Sequence, residues 1–261
     1  MVSCVGRRVF PRGVVVAELS ARETHQTALR MHLIQVLLNY RTMQGGGYVF
    51  ALWPWLRRQP HRGSQVPAVG SYINSHPVFA SFAIGAMRKR LEQGDLAHDA
   101  EDFAQWRESL AGPLGVTGDA LIWDRWKPLL FAAGALVLLI SPSVSAWAIV
   151  AMASLLLYNV PLYFLRVWGV RQGYRLGSGV LEILRDPRFA SARRVMTFAG
   201  IWLAGALTML GLWVTAQGSL GRGAQFLAAY VVMWLGLRFR LSASTAVLFA
   251  VVAALMIPGI R

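Results

Sequence analysis

Acidic residues and cysteine are what this chain has least of. Only 12 of its 261 residues are Asp or Glu, against 26 Lys and Arg, and no acid follows Asp186. The last third therefore offers anchoring and no carboxylate chemistry. Cys4 is the sole cysteine, which excludes an intrachain disulfide and a thiolate-rich metal site. The histidines, His25, His32, His61, His76 and His98, lack zinc-type spacing, so no metal and no cofactor is assigned. Gly45-Gly46-Gly47 is not followed by Lys-Ser or Lys-Thr and has no strand signal before it, which argues against a phosphate loop. With no nucleophile and base paired in any motif, no catalytic residue is assigned and a non-enzyme is expected. After Arg7 and Arg8 the chain reads Val9-Phe10-Pro11-Arg12 instead of an apolar run of roughly 7–15 residues, so no cleaved signal is expected.

What is abundant is apolar. The chain is 56% hydrophobic and only 15% charged, with a mean hydropathy of +0.47, whereas soluble domains carry about 25% charged residues. This composition is that of an integral membrane protein. The formal charge of +14 is what basic residues flanking apolar segments produce under the positive-inside rule, and it is not assigned to nucleic acid.

From Thr24 a helical period places Leu29, Leu33, Val36, Tyr40 and Met43 on one stripe and His32, Gln35, Asn39 and Thr42 on the other. Such a helix either lies on the membrane or on protein, or turns its amides to a polar path. Residues 48–56 are apolar and aromatic, with Trp53 and Trp55 beside Arg57 and Arg58 as interfacial anchors. The Pro-, Gly- and Arg-rich stretch 60–70 reads as a loop. At 72–77, Asn74 or Ser75 can cap a helix that Pro77 opens, and Arg88-Lys89-Arg90 ends it. Residues 93–110 form an amphipathic helix in water. Six acids lie between Glu92 and Glu108, half of the chain's total, which marks a cytoplasmic segment facing soluble partners or simply a solvated face.

The central block runs Gly112-Pro113-Leu114-Gly115-Val116-Thr117-Gly118-Asp119, with Trp123 close behind. Glycine-rich, helix-breaking backbone near a bilayer is tolerated where protein buries it or where it lines a wet cavity, so Asp119 is either part of a transport element or the cap of a following helix. Residues 128–140 are too few for the roughly 20 that a simple span needs. Ser141-Pro142-Ser143 breaks them from a longer run at 144–165, which suggests a re-entrant hairpin plus a span, or two tilted spans. Arg166, Arg171, Arg175, Arg185, Arg188, Arg193 and Arg194 against Glu182 and Asp186 place the next loop in the cytoplasm. A span at 195–214, an outer loop at 215–223, a short apolar piece at 224–237, the basic turn of Arg238 and Arg240, and a last span at 241–260 complete the chain.

With these residues in order, the sequence resembles the IID membrane component of the mannose/fructose/sorbose family of the bacterial phosphoenolpyruvate-dependent sugar phosphotransferase system. The resemblance is carried by Gln35, Asn39, Met43 and Gln44, then Asn74, Pro77 and Gly85. It is strongest through Gly112, Pro113, Leu114, Gly118, Asp119, Trp123 and Pro128, with Lys127 where the family usually has Arg. Gly169, Gly173, Tyr174 and Gly177 come after these. The departures are Arg41 and Thr42 in place of an acid and a base, and Asp124-Arg125-Trp126 where small residues are usual.

The resemblance implies an all-α membrane protein with several transmembrane helices, re-entrant hairpin helices and amphipathic cytoplasmic helices. It implies a multi-pass protein of the bacterial inner (cytoplasmic) membrane. It implies a subunit that joins a IIC membrane component in a hetero-oligomer translocating a hexose-type sugar through membrane lipid, while soluble IIA and IIB proteins carry the phosphoryl group. Three stretches of one integral membrane domain are expected: an amphipathic, cytoplasm-facing region at 1–111, the Gly/Pro block with paired membrane helices and basic loop at 112–195, and the C-terminal helices at 196–261. Candidates for the substrate path or the IIC interface are Asn39, Gln44, Asn74, His76, Gly112, Pro113, Gly118, Asp119 and Trp123. The alternatives are a regulatory homologue that no longer moves sugar, and a stand-alone carrier with Asp119 as its proton site.

Overall fold

The structure is a computed structural model that describes residues 19–140, 143–218 and 230–232. Among these there is no strand, only isolated bridges at Asn39, Met43 and Ile73, and helices account for most of the chain, as the membrane composition predicts. Cys4, Arg7, Arg8, Ser141, Pro142, Arg238, Arg240 and the span at 241–260 lie outside the described residues, as do 219–223 of the outer loop and most of 224–237. The helices are α1 (Ala21–Arg30), which tightens into a 3-10 turn at Met31–Leu33, α2 (Gly45–Leu56), α3 (Arg62–Gly70), α4 (Ala80–Glu92), the short α5 (Asp95–His98) and α6 (Ala100–Gly118). A π-helical segment, Asp119–Trp126, leads into α7 (Lys127–Ile140). The chain continues through α8 (Val144–Leu176), a 3-10 stretch at Gly177–Arg185, and α9 (Pro187–Gly218). The described residues fall into two compact units, one within 19–120 and 159–189 and one within 121–158 and from 190 onward.

The first unit is organised around α4. Its sequence is small and apolar on every side, and such a helix belongs inside a protein: residues 80–88 are all buried. Expected to stop at Arg88-Lys89-Arg90, the helix runs on to Glu92 because two of those cations find partners inside. Arg88 pairs with Glu23 at 3.1 Å and Glu92 at 2.8 Å. Arg90 pairs with Asp95 at 2.5 Å and Asp102 at 2.6 Å, and its guanidinium lies over the Trp106 ring at 4.5 Å. Across α4 lies the second half of α8, at backbone contact. A Cβ on Gly85 would stand 2.2 Å from Val170 O, and one on Gly173 would stand 2.0 Å from Phe82 O. Glycine lets the two helix backbones touch there.

Several local expectations change. The stretch 60–70 is largely the helix α3, because packing on α2 buries Gln65 and Val69 and outweighs its breaker-rich composition. The helix beginning near Thr24 ends at Leu33. Thr24, Thr27, Ala28 and Met31 form its buried stripe, while Leu29, Leu33, Val36 and Tyr40 are exposed. Small residues allow close packing there, and the larger apolar ones are left outside. Trp53 is exposed as an anchor would be, but Trp55 is buried beneath the Arg88 guanidinium.

The central block is not broken backbone. Helix α6 passes through Gly112, Pro113 and Gly115 to Gly118, and the Asp99 side chain caps its start by accepting from the Asp102 N–H at 2.9 Å. Beyond Gly118 the chain widens into a π turn instead of a loop, so Asp119 sits at the junction of two helical segments and not at the N-cap of a new helix. The apolar stretch 128–140 is therefore the end of a longer helical run, not an isolated short helix. The arginine-rich region expected as a loop is mostly helical too: Arg166, Arg171 and Arg175 lie on α8 and Arg188, Arg193 and Arg194 on α9. By length and composition, the helical stretches Val144–Arg185 and Pro187–Trp213 are long and apolar enough to cross a membrane. The second unit is apolar on its outside, with Trp147, Ile149, Phe198 and Trp202 exposed.

Candidate functional site

Two helical pairs in the first unit are each interrupted in the middle. The chain leaves helical geometry between the 3-10 turn and α2, at 34–44, and again between α3 and α4, at 71–79. In the first break Asn39 builds the turn: its Oδ1 accepts from the N–H groups of Arg41 at 3.1 Å and Thr42 at 2.9 Å, and its Nδ2 donates to Thr42 Oγ1 at 2.8 Å. Met43 then takes a left-handed backbone, with φ of 50°.

The two breaks are joined by hydrogen bonds. Gln44 N–H donates to Ile73 O at 2.9 Å, and Ile73 N–H donates to Thr42 O at 3.3 Å. The buried Gln44 amide then grips the peptide at Ser75 from both sides, donating to Ser75 O at 2.5 Å and accepting from Ser75 N–H at 3.1 Å. Unwound backbone inside a protein needs such partners, since an unmet peptide group there costs about 1–3 kcal/mol. Arg107 of α6 meets the same need: its buried guanidinium donates to the carbonyls of Tyr72, at 3.1 Å, and Ser71.

His76 closes the second break. Its Nδ1 accepts from Val78 N–H at 3.2 Å and its carbonyl accepts from Ala80 N–H at 2.9 Å, so His76, and neither Asn74 nor Ser75, caps the turn into α4. With Nδ1 accepting, the neutral ring carries its proton on Nε2. Gly118 lies against this ring and Gly115 lies 3.8 Å from Ser75 Cα and His76 N, measured from a Cβ built on Gly115. Burial, and then the positive charge of Arg166, push the His76 pKa down to about 4. His32 is lowered for the same two reasons, burial first. Its Nε2 accepts from Arg166 Nη1 at 3.2 Å, while its Nδ1 donates to Ala28 O at 3.3 Å. The neighbouring His25 Nδ1 meets the Tyr163 hydroxyl at 2.6 Å.

The candidates thus divide. Gln44, His76 and Gly118 come together at the seam between the two breaks, with Asp119, half-buried, next in sequence to Gly118. Asn39 is exposed and spends its side chain on its own turn, and Asn74 is exposed. Gly112 and Pro113 lie on the exposed face of α6, and nothing lies within 4 Å of a Cβ built on Gly112. Trp123 is exposed in the π segment and belongs to the second unit.

The sequence does not point to Arg107, Arg166 or Ser75 as parts of the site. Arg107 carried a signal: it falls on the stripe Phe103, Arg107, Leu110, Leu114 and Gly118 at helical spacing, all buried. A cation on an apolar stripe marks a buried contact. In sequence Arg166 reads only as a topological charge, although it is 8% exposed. Among the described residues no group of three or more His, Cys, Asp or Glu converges as a metal site would require.

The chain matches, over residues 18–225, the family model of the phosphotransferase-system mannose/fructose/sorbose family IID component. It is 23% identical over 197 residues to the mannose-specific EIID component of Escherichia coli K12, covering 73% of this chain and 68% of that one. It is 21% identical over 203 residues to the fructose permease IID component of Bacillus subtilis, covering 76% and 71%. Its fold resembles a chain in the cryo-electron-microscopy structure of the mannose transporter ManYZ with microcin E492, with a TM-score of 0.53, 24% identity, and 73% and 70% of the two chains covered. On the extent of the family match, this chain belongs to the mannose/fructose/sorbose family of IID components of the sugar phosphotransferase system.

Proposed function

We propose that this chain, with a IIC partner, forms the sugar-translocating unit of a mannose-family permease in the bacterial inner membrane, crossing it several times. Soluble IIA and IIB proteins perform the phosphoryl transfer, and this subunit performs none. The relatives named for mannose and fructose support a hexose as the cargo. The observation that carries the reading is the seam of Gln44, Ser75, His76 and Gly118. Irregular backbone whose peptide groups are paired within a helical unit, as at Gln44, Ile73 and Ser75, is a construction that membrane transporters use where a polar solute must pass. The exposed apolar residues Leu29, Leu33, Val36 and Tyr40 beside the first break offer that unit a surface for a membrane partner.

A second reading, a regulatory homologue that reports on the phosphotransferase system without transport, draws on Arg41 and Thr42. These stand beside the seam where the family has an acid and a base. Affinity purification in mild detergent tests the subunit assignment. The tagged chain, co-expressed with a IIC protein of the same family, is expected to bring that protein down in a fixed ratio. A chain that purifies folded and without it, from cells that contain it, contradicts the assignment.

A further inference from the structure

The second unit has a groove of about 550 Å³ between the π segment with α7 on one side and α9 on the other, a size typical of sites for lipid- or drug-sized ligands. Arg125 Nε donates to Thr197 Oγ1 at 3.2 Å, and Leu129 and Ala132 line one wall while Gly200 and Ala204 line the other. The polar groups therefore gather at one end of the groove and apolar side chains fill the rest. A Cβ built on Gly200 meets nothing within 4 Å, so the space beside it is open.

The polar end is also the cationic end. Arg125 and Lys127 stand at the start of one wall, and Arg193 and Arg194 at the start of the other. Arg193 lies one helical turn before Thr197 and on the same face. Among the described residues Asp124 is the one acid lining the groove, which leaves a positive excess. An apolar cleft between membrane helices with a basic mouth matches an amphiphile that has an anionic head and an alkyl tail. We propose that this groove seats one anionic phospholipid, its phosphate against Arg125, Thr197 and Arg193 and an acyl chain between α7 and α9.

The full-length chain, extracted in mild detergent with its membrane partner retained, tests this by native mass spectrometry and by thermal stabilisation. Phosphatidylglycerol, phosphatidylcholine with the same chains, and glycerol phosphate are added in turn. Phosphatidylglycerol is expected to remain bound and to raise the melting temperature at a concentration at least tenfold below that needed for phosphatidylcholine. Arg125→Gln combined with Arg193→Gln should remove that preference. Gly200→Phe, which fills the open space, should remove retention of the lipid while the lipid-free melting temperature stays near wild type. Equal retention of both lipids, or an unchanged preference in the double variant, overturns the proposal. Stabilisation by glycerol phosphate equal to that by the lipid overturns it as well. So does a disulfide from cysteine at Gly200 to the partner protein, because a protein helix then occupies the groove.

Discussion

Gly118 packs directly against the His76 side chain: a Cβ at position 118 would stand 2.3 Å from His76 Cβ and 2.4 Å from Cγ. The atoms met belong to the stem of a buried side chain that also caps the turn into α4, so they cannot yield cheaply. Gly118→Ala is therefore expected to lower stability by about 1–3 kcal/mol, the usual cost of overpacking. Gly112→Ala, six residues earlier on the open side of the same helix, should be neutral or stabilising by up to about 1 kcal/mol. Melting curves of the two variants in detergent check this, and equal behaviour contradicts the packing account.

The Gln44 amide gives a sharper test of the seam. Gln44→Glu keeps the shape and the acceptor but turns the group facing Ser75 O, now at 2.5 Å, from donor to acceptor. It is expected to cost as much as Gln44→Ala or more, about 1–3 kcal/mol, because a buried carbonyl loses its partner and faces a carboxylate. Limited proteolysis should then cut within 34–44 or 71–79 sooner than in the wild type. A Glu variant as stable and resistant as wild type contradicts the pincer.

His76 sets a pH dependence. Its folded pKa of about 4 lies below the ordinary 6.5, so the unfolded chain takes up a proton between these values and the folded chain does not. Stability is full above about pH 6.5 and falls as pH drops toward 4, by roughly 3 kcal/mol from this residue alone. His32, lowered likewise, adds in the same direction. Melting temperatures of wild type and His76→Asn measured from pH 7 to 4.5 should converge as pH falls. Parallel lines contradict the assignment.

Asp119 stands where α6 passes into the π segment, and π turns inside helices frequently mark functional sites. Asp119→Asn keeps most hydrogen bonding and removes the charge. If the carboxylate acts in the sugar path, uptake is lost while the protein accumulates and still binds its partner. Near-normal uptake by the Asn variant assigns Asp119 a structural part only.

The helical, membrane character of the chain and its strongest apolar runs were legible in sequence because composition and run length carry them directly. The pieces that misled share a cause. Pro113 and the glycines around it count as breakers in isolation, yet α6 continues through them. Residues 60–70 fold as α3 because packing on α2 outweighs local propensity. Within the site, Gln44, His76 and Gly118 were legible as motif residues but not as mutual contacts, since these lie 32 to 74 positions apart in the chain. Asn39 is legible as a polar residue and not as a turn builder, because the apolar period continues to Met43, about three turns past Leu33, where the chain leaves helical geometry. Arg107 and Arg166 are cations whose burial depends on elements distant in sequence.

This chain is expected to move sugar only as one half of a membrane pair. Proteoliposomes containing the purified chain alone, the IIC protein alone, or both, are loaded with the cognate IIA and IIB proteins and a phosphoryl donor, and uptake of labelled mannose or fructose is measured. Accumulation of phosphorylated sugar is expected only with both membrane proteins present, and it should fall when Gln44→Glu is introduced. Uptake or sugar binding by this chain with no IIC protein in the membrane would contradict the subunit role and favour a stand-alone carrier.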